Sequence, residues 1–118
     1  MTESEVYKKM VSPLLIREGV FFFRVESKRL PDIYTAKNDN ILWIELKCSK
    51  EPYHSEVIKP DWRPGQLAWI KENKRFGNRN SICLCLYDYG KLYFLPPKES
   101  YIRKQLACQR EFYFNIYK

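Results

Sequence analysis

The pattern of apolar and polar positions along the chain predicts alternating helices and strands. Apolar residues recur at helical spacing in three segments, over residues 3–18, from Pro64 to about Phe76 and over residues 97–108. Short apolar runs bounded by turn-forming residues are typical of strands; they cover residues 20–25, 33–36, 41–47, 81–87 and 91–95, with an extra strand at 112–114. Residues 48–63, with two prolines, are predicted to form a long loop. This order indicates an α/β fold with one mixed sheet.

Local signals define the two ends of the first helix. Thr2 is the predicted N-cap, and Glu5 completes a capping box three residues later. Gly19 is the predicted stop, because glycine readily adopts the left-handed conformation that ends many helices. Pro13 lies inside this helix and predicts a kink, because an interior proline removes a backbone hydrogen bond.

Length and composition limit the class of protein. The 118 residues, of which 45% are hydrophobic and 16% aromatic, predict one domain over residues 1–118 with a real core. The chain has no apolar run near the ~18 residues of a membrane span, and its acidic N-terminus does not resemble a signal peptide. We therefore expect a cytoplasmic protein, or one of the host cytoplasm if it is viral. A net charge of +7 favours polyanionic partners.

Cysteine and histidine contribute little to the expected chemistry. The four cysteines form no CxxC pair, and the lone histidine, His54, argues against a multi-histidine metal site. Cys83 and Cys85 lie at strand spacing and are predicted to face the same side of the sheet. We interpret the cysteines as reduced, buried thiols.

One constellation of residues suggests a reaction. Asp32 begins a predicted strand, and Glu45 and Lys47 lie two residues apart on the next one, so their side chains share a face. If the two strands form a hairpin, both carboxylates converge at one end. Two convergent carboxylates suit a hard cation such as Mg²⁺. A lysine beside that cation can hold a water and neutralise developing charge on a phosphate.

These residues resemble a known signature. Pro31-Asp32, followed after twelve residues by Glu45-Leu46-Lys47, resembles the motif of the PD-(D/E)XK nuclease superfamily. The resemblance implies a restriction-endonuclease-like core, with a central mixed β-sheet flanked by helices. It also implies that Asp32 and Glu45 bind Mg²⁺ or Mn²⁺ with the help of the backbone carbonyl of Leu46, and that Lys47 is catalytic.

The flanking segments are most similar to small VRR-NUC and Holliday-junction-resolvase-like members of that superfamily. Such members open with a T-E-x-E helix, matched by residues 2–6, and carry a glycine before the first strand, matched by Gly19. A helix beginning near a glutamine follows, matched by residues 64–69. The resemblance covers residues 2–87, although Leu30 stands where a glycine often precedes the Pro-Asp pair and no Val-Arg-Arg-like element is evident.

Helix geometry predicts which further polar residues join the site. At 100° per residue, Glu3 falls within the apolar arc of the first helix and Glu5 on the opposite side. We therefore assign Glu3 to the metal, directly or through water, and Glu5 to capping. Gln66 lies on the apolar stripe between Trp69 and Ile70, where it could hold Lys47, a metal-bound water or a phosphate. Glu3 as a solvated helix-end acid and Gln66 as a satisfied first-turn residue are the alternatives.

Basic and aromatic residues are candidates for nucleic-acid contact. Those predicted to contact a nucleic-acid backbone are Arg29, Lys50, Arg63, Lys71, Lys74 and Arg75. Tyr53, His54 and Trp62 in the long loop could stack on bases, or could merely pin that loop.

Together these features predict a Mg²⁺-dependent nuclease that hydrolyses DNA phosphodiester bonds. The expected form is an endonuclease for branched or structured DNA, acting in repair, recombination or phage replication. Symmetric cutting of two strands would need two sites and hence a homodimer. A non-cleaving nucleic-acid-binding module with the same fold, or an assembly protein with a basic face, are the alternatives. DNA is not distinguished from RNA.

Overall fold

The computed structural model of the chain describes residues 1–27, 30–76 and 82–109, with the side chains of residues 74–76 and 107–109 outside the description. The helices are α1 (Glu3–Val6), α2 (Ser12–Arg17) and α3 (Gln66–Phe76), with a π turn at Tyr7–Val11 and a 3₁₀ helix at Arg103–Gln109. The strands are β1 (Phe21–Arg24), β2 (Ile33–Lys37), β3 (Asn40–Cys48), β4 (Val57–Ile58), β5 (Ile82–Asp88), β6 (Lys91–Leu95) and β7 (Tyr101–Ile102). The described residues contain no helix long and apolar enough to cross a membrane.

The predicted first helix is confirmed, including its caps. The side chain of Thr2 accepts a hydrogen bond from the backbone of Glu5, and the side chain of Glu5 accepts one from the backbone of Thr2. At the other end, the N–H groups of Gly19 and Val20 donate to the carbonyls of Ile16 and Leu15. Gly19 has φ of +68°, which is the left-handed stop that the sequence predicts.

A π turn replaces the expected kink in this helix. The N–H of Ser12 donates to the carbonyl of Tyr7, five residues earlier, so the helix widens directly before Pro13. The wider turn also sets the spacing of the buried side chains. Val6, Val11 and Leu15, separated by five and then four residues, all lie fully buried in one core.

The main sheet is mixed, as predicted. Its strand order is β1-β2-β3-β5-β6, and only the β3–β5 pair is parallel. Asn38 and Asp39, both with positive φ, form the two-residue turn between β2 and β3. Turns of this kind match the twist of a hairpin and fix its register. The two strands that carry the candidate acids are therefore a hairpin, as the acid pair requires.

The two faces of this sheet pack against different layers. Leu42, Ile44 and Leu46 of β3 face the N-terminal helix together with Cys83 and Cys85, which are free, buried thiols. Cys83 and Cys85 therefore share a face, as predicted; Cys48 is half-buried, and the side chain of Cys108 lies outside the description. The opposite face carries a second core; its members are Ile58, Leu84, Leu86, Tyr93, Leu95, Tyr101 and Leu106, with Trp62 packed against it.

Two predictions about the remaining segments are wrong. The long loop contains β4, which pairs with β7 in a small second sheet. The helix predicted over residues 97–108 is instead β7 followed by the 3₁₀ helix, because Tyr101 pairs with Ile58 and is buried in the second core. The predicted strand at 112–114 and the predicted stop of α3 at Gly77 lie outside the described residues.

Candidate active site

The structure brings Asp32 and Glu45 together at one end of the β2–β3 hairpin. Ile33 pairs with Ile44, so the preceding residue, Asp32, lies opposite Glu45 on the face away from the N-terminal helix. Oδ2 of Asp32 accepts a hydrogen bond of 3.0 Å from the backbone N–H of Leu46. The strand that carries the second acid thereby fixes the side chain of the first.

Glu45 occupies an environment that disfavours its charged form. The residue is only 4% exposed. Burial, and then the adjacent carboxyl of Asp32, raise the pKa of Glu45 to about 9, although Lys47 and a hydrogen bond with Gln66 act in the opposite direction. Desolvation of a buried carboxyl and a neighbouring acid both favour its protonated form. Without a further cation, Glu45 therefore retains a proton at neutral pH.

The ammonium group of Lys47 is held from three sides. It lies 3.9 Å from Oε1 of Glu45 and donates a hydrogen bond of 2.7 Å to the backbone carbonyl of Asp61. It also lies 5.7 Å from the centroid of the Trp62 ring. The Trp62 indole N–H in turn donates to the carbonyl of Lys98 at 2.8 Å. The long loop thus returns to the strand and fixes the position of the lysine.

Gln66 has the first-turn role that the sequence offered as an alternative, while its contact with Lys47, a metal-bound water or a phosphate stays a prediction. Its Oε1 accepts a hydrogen bond of 2.6 Å from the backbone N–H of Arg63, which stabilises the start of α3. Its side chain also bonds to Glu45 and lowers the pKa of that group. With an exposure of 7%, Gln66 connects α3 to the acid pair.

Glu3 lies at the border of this site. Burial raises the pKa of its carboxyl, and the charges of Lys47 and Asp32 both act on it. No three Asp, Glu, His or Cys side chains within residues 1–27, 30–76 and 82–109 form a group that could hold a metal ion. The contact of Glu3 with a metal ion, directly or through water, stays a prediction.

The donor set nevertheless fits a divalent cation. Mg²⁺ takes oxygen ligands, binds one or two carboxylates in many enzymes, and keeps several waters. Asp32 and Glu45 supply two carboxyls whose mutual repulsion a cation would relieve. The side chain of Leu46 points into the opposite core, so only its backbone, here its carbonyl, is available to such a site. That carbonyl remains a predicted ligand.

Two of the basic residues predicted to contact nucleic acid, Lys50 and Arg63, lie near the site, since the charges of both act on the carboxyls of Glu3 and Asp61. Lys50 is exposed and forms an ion pair of 2.9 Å with Asp61. Arg63 and Lys71 are also exposed. Arg29 and the side chains of Lys74 and Arg75 lie outside the described residues. Their assignment to nucleic-acid binding remains a prediction.

Sequence reasoning missed the groups that organise the long loop. The carbonyl of Asp61 carries no side-chain signal that could have identified it as the partner of Lys47. Arg103 and Asp88 form a partly buried ion pair, with Nε of the arginine 3.1 Å from Oδ2 of the aspartate. The sequence analysis did not predict this pair, because it placed Arg103 in a helix over residues 97–108.

A comparison with solved structures identifies the fold. The chain is similar to Hjc, a Holliday junction resolvase from the archaeal hyperthermophile Archaeoglobus fulgidus, with a TM-score of 0.66 and 16% sequence identity. The match covers 93% of this chain and 97% of that one. No protein-family model and no curated protein matches the sequence. The predicted fold class, a central mixed sheet flanked by helices in the arrangement of this resolvase, is thereby confirmed.

Proposed function

We propose that the protein is a divalent-metal-dependent nuclease that hydrolyses DNA phosphodiester bonds. The observation that carries the proposal is the convergence of half-buried Asp32 with buried Glu45 and Lys47 on one face of a hairpin. A domain of this size gains no stability from holding two acids together in its interior. A role in binding a cation and a phosphate accounts for this arrangement.

Each residue of the site would have a distinct role in the reaction. Asp32, Glu45 and the carbonyl of Leu46 would hold the cation, which when bound supplies Lewis acidity at the phosphate and a more acidic water. Lys47 is fixed by the Asp61 carbonyl, so its ammonium can donate to the attacking water or to a phosphate oxygen without reorganising. Such preorganised donors stabilise developing negative charge.

Branched DNA is the substrate that we infer for this nuclease. The fold is shared with a protein described as a Holliday junction resolvase, and the net charge of +7 favours a polyanion. Symmetric cutting of a junction needs two sites, so we propose a homodimer. The exposed rings of Phe21 and Phe23 on β1 offer apolar surface for contact between copies.

A cleavage panel tests the function. Purified protein is incubated with plasmid, single-stranded DNA and a four-way junction, in Mg²⁺, in Mn²⁺ and in EDTA, with Glu45→Ala as the matched variant. We expect cation-dependent cutting that this substitution abolishes. Cutting of no substrate, or equal cutting by the variant, contradicts the proposal. Salt-sensitive binding without cutting would instead identify a non-cleaving binding module.

A further inference from the structure

The loop that leaves the candidate active site is held at its base by several hydrogen bonds. It follows β3 and covers residues 49–56. The hydroxyl of Ser49 donates a hydrogen bond of 2.6 Å to Asp88, and the guanidinium of Arg103 contacts the carbonyls of Pro52, Tyr53 and Ser55 at 2.6–2.8 Å. Loops fixed by a scaffold in this way often carry binding residues.

Tyr53 of this loop and Tyr89 of the turn between β5 and β6 form an exposed aromatic pair. The two rings meet edge to face, with their centroids 5.2 Å apart. Tyr53 is 71% exposed and Tyr89 51% exposed. The hydroxyl of Tyr89 donates to the carbonyl of Glu51 at 2.8 Å, and the Arg103 guanidinium lies 5.6 Å from its ring centroid. The Tyr89 ring is thus a fixed support, and the Tyr53 ring presents its open surface to solvent.

The backbone of Tyr89 is strained. Tyr89 and Gly90 form the two-residue turn between β5 and β6, and both have positive φ, +46° and +90°. Asn or Gly is the usual first residue of such a turn, and a bulky side chain there is a conformational outlier. Burial does not offset this strain, because half of the ring is exposed. Outliers of this kind are concentrated at functional sites.

The aromatic pair lies close to the candidate active site. Lys47 pairs with Leu86 in the parallel strands, and Tyr89 follows three residues later, about 10 Å further along at ~3.3 Å per residue. Lys50, whose side chain is 74% exposed, lies between Lys47 and Tyr53 in the chain. A nucleic-acid strand whose phosphate reached Lys47 would place neighbouring bases near the pair.

We propose that Tyr53 and Tyr89 form a stacking platform for an unpaired nucleobase beside the cleaved strand. The proposal rests on the nuclease function proposed above. Every base has a π-face, so stacking on an exposed tyrosine would favour unpaired or splayed bases over paired ones without reading sequence. This contact would give the protein a preference for branch points, where such bases are available.

Fluorescence of 2-aminopurine tests the platform. The probe base is placed at the branch point of a four-way junction and, separately, within a fully paired duplex, and each DNA is titrated in EDTA to prevent cutting. We expect the protein to quench the junction probe. Tyr53→Ala should abolish that quenching and weaken junction affinity by about 5- to 150-fold, while Tyr53→Trp should preserve both.

A control variant separates stacking from a general loss of surface. Ile16→Ala removes an exposed apolar side chain from α2, outside the platform. It should bind the junction as the parent does. Because Tyr53 is exposed, Tyr53→Ala should melt at the parental temperature.

Three outcomes contradict the platform. Unchanged junction affinity and quenching in Tyr53→Ala would overturn it and leave the nuclease proposal intact. Equal weakening for junction and duplex would indicate a backbone contact, not stacking, and would also overturn it. If the parent protein neither binds nor cuts any DNA, both proposals fail together.

Discussion

The ammonium of Lys47 donates a hydrogen bond to the backbone carbonyl of Asp61, fourteen residues further along the chain. This bond explains how the buried lysine can lie beside two acids without forming a simple, close ion pair. The carbonyl of Asp61 orients the ammonium of Lys47. Because this ammonium lies 3.9 Å from Glu45, it can still bind another group.

Replacement of Lys47 should abolish most cleavage without unfolding the protein. Loss of one preorganised donor typically lowers turnover about 10²- to 10³-fold, and we expect that loss in Lys47→Met. Single-turnover cleavage of a four-way junction measures it, with circular dichroism as the check on folding. Lys71→Met, an exposed lysine on α3, is the matched control. Near-parental cleavage by Lys47→Met would show that the lysine is structural.

Glu45→Gln should stabilise the metal-free protein while it inactivates the enzyme. The amide has a similar shape but removes the charge that burial and Asp32 disfavour. We expect a rise in melting temperature of about 4 °C or more at pH 8 in EDTA, which corresponds to roughly 1 kcal/mol in a domain of this size. The same variant should lose any stabilisation by Mg²⁺. A lower melting temperature for Glu45→Gln would contradict the account of the acid pair.

The stability of the metal-free protein should fall as the pH rises. The pKa of Glu45 is about 9 in the folded chain against 4.5 for an ordinary glutamate. The folded state therefore retains a proton that the unfolded state has lost, and each step in pH from about 4.5 towards 9 favours unfolding. Urea denaturation at several pH values in EDTA measures the trend. The gap between Glu45→Gln and the parent should widen over the same range.

Cation binding should release a proton. At neutral pH the proton on Glu45 must leave before Asp32 and Glu45 can both act as ligands. Calorimetric titration of Mg²⁺ into the protein, in two buffers with different ionisation enthalpies, should give apparent enthalpies that differ by that release. Apparent affinity should increase with pH between 6 and 9. An enthalpy that is independent of the buffer would show that the pair binds no cation or is already ionised.

Arg103→Met should destabilise the fold strongly. It leaves Asp88 buried at 7% exposure with Ser49 as its remaining hydrogen-bond partner. Breaking one side of a buried pair typically costs about 3–5 kcal/mol, measurable by urea denaturation. The double variant Arg103→Met, Asp88→Asn should recover part of that loss. A loss below about 1 kcal/mol in the single variant would mean that the loop does not depend on this pair.

Local patterns predicted much of the fold because they depend on neighbouring residues. The capping box at Thr2 and the stop at Gly19 follow from short-range chemistry, and Asn38 and Asp39, which close the β2–β3 hairpin, are residue types typical of tight turns. The small second sheet could not be predicted, since a two-residue strand such as Val57–Ile58 has no periodicity of its own. It exists because Tyr101 supplies a partner far along the chain.

The candidate site was predictable to a similar extent. Spacing two apart on a strand placed Glu45 and Lys47 on one face, and the hairpin brought Asp32 opposite. The helix geometry that assigned Glu3 to the site assumed a regular helix, whereas the π turn shifts the spacing of the side chains along that helix by one residue. The structure still leaves Glu3 half-buried near Lys47. The role of the Asp61 carbonyl could not be predicted from the sequence, because any residue can supply a backbone carbonyl.

The tight turn at Asn38 and Asp39 bears on the order in which the site assembles. Hairpins closed by short turns form in about 1–10 μs, whereas parallel strands must wait for a long connection to close. Asp32 and Glu45 belong to the hairpin, but β5, which seals the other side of β3, arrives from beyond α3. We therefore expect Asp32 and Glu45 to come together early in folding, while both carboxyls are still hydrated. Their proximity should become energetically unfavourable only when β5 docks and excludes water.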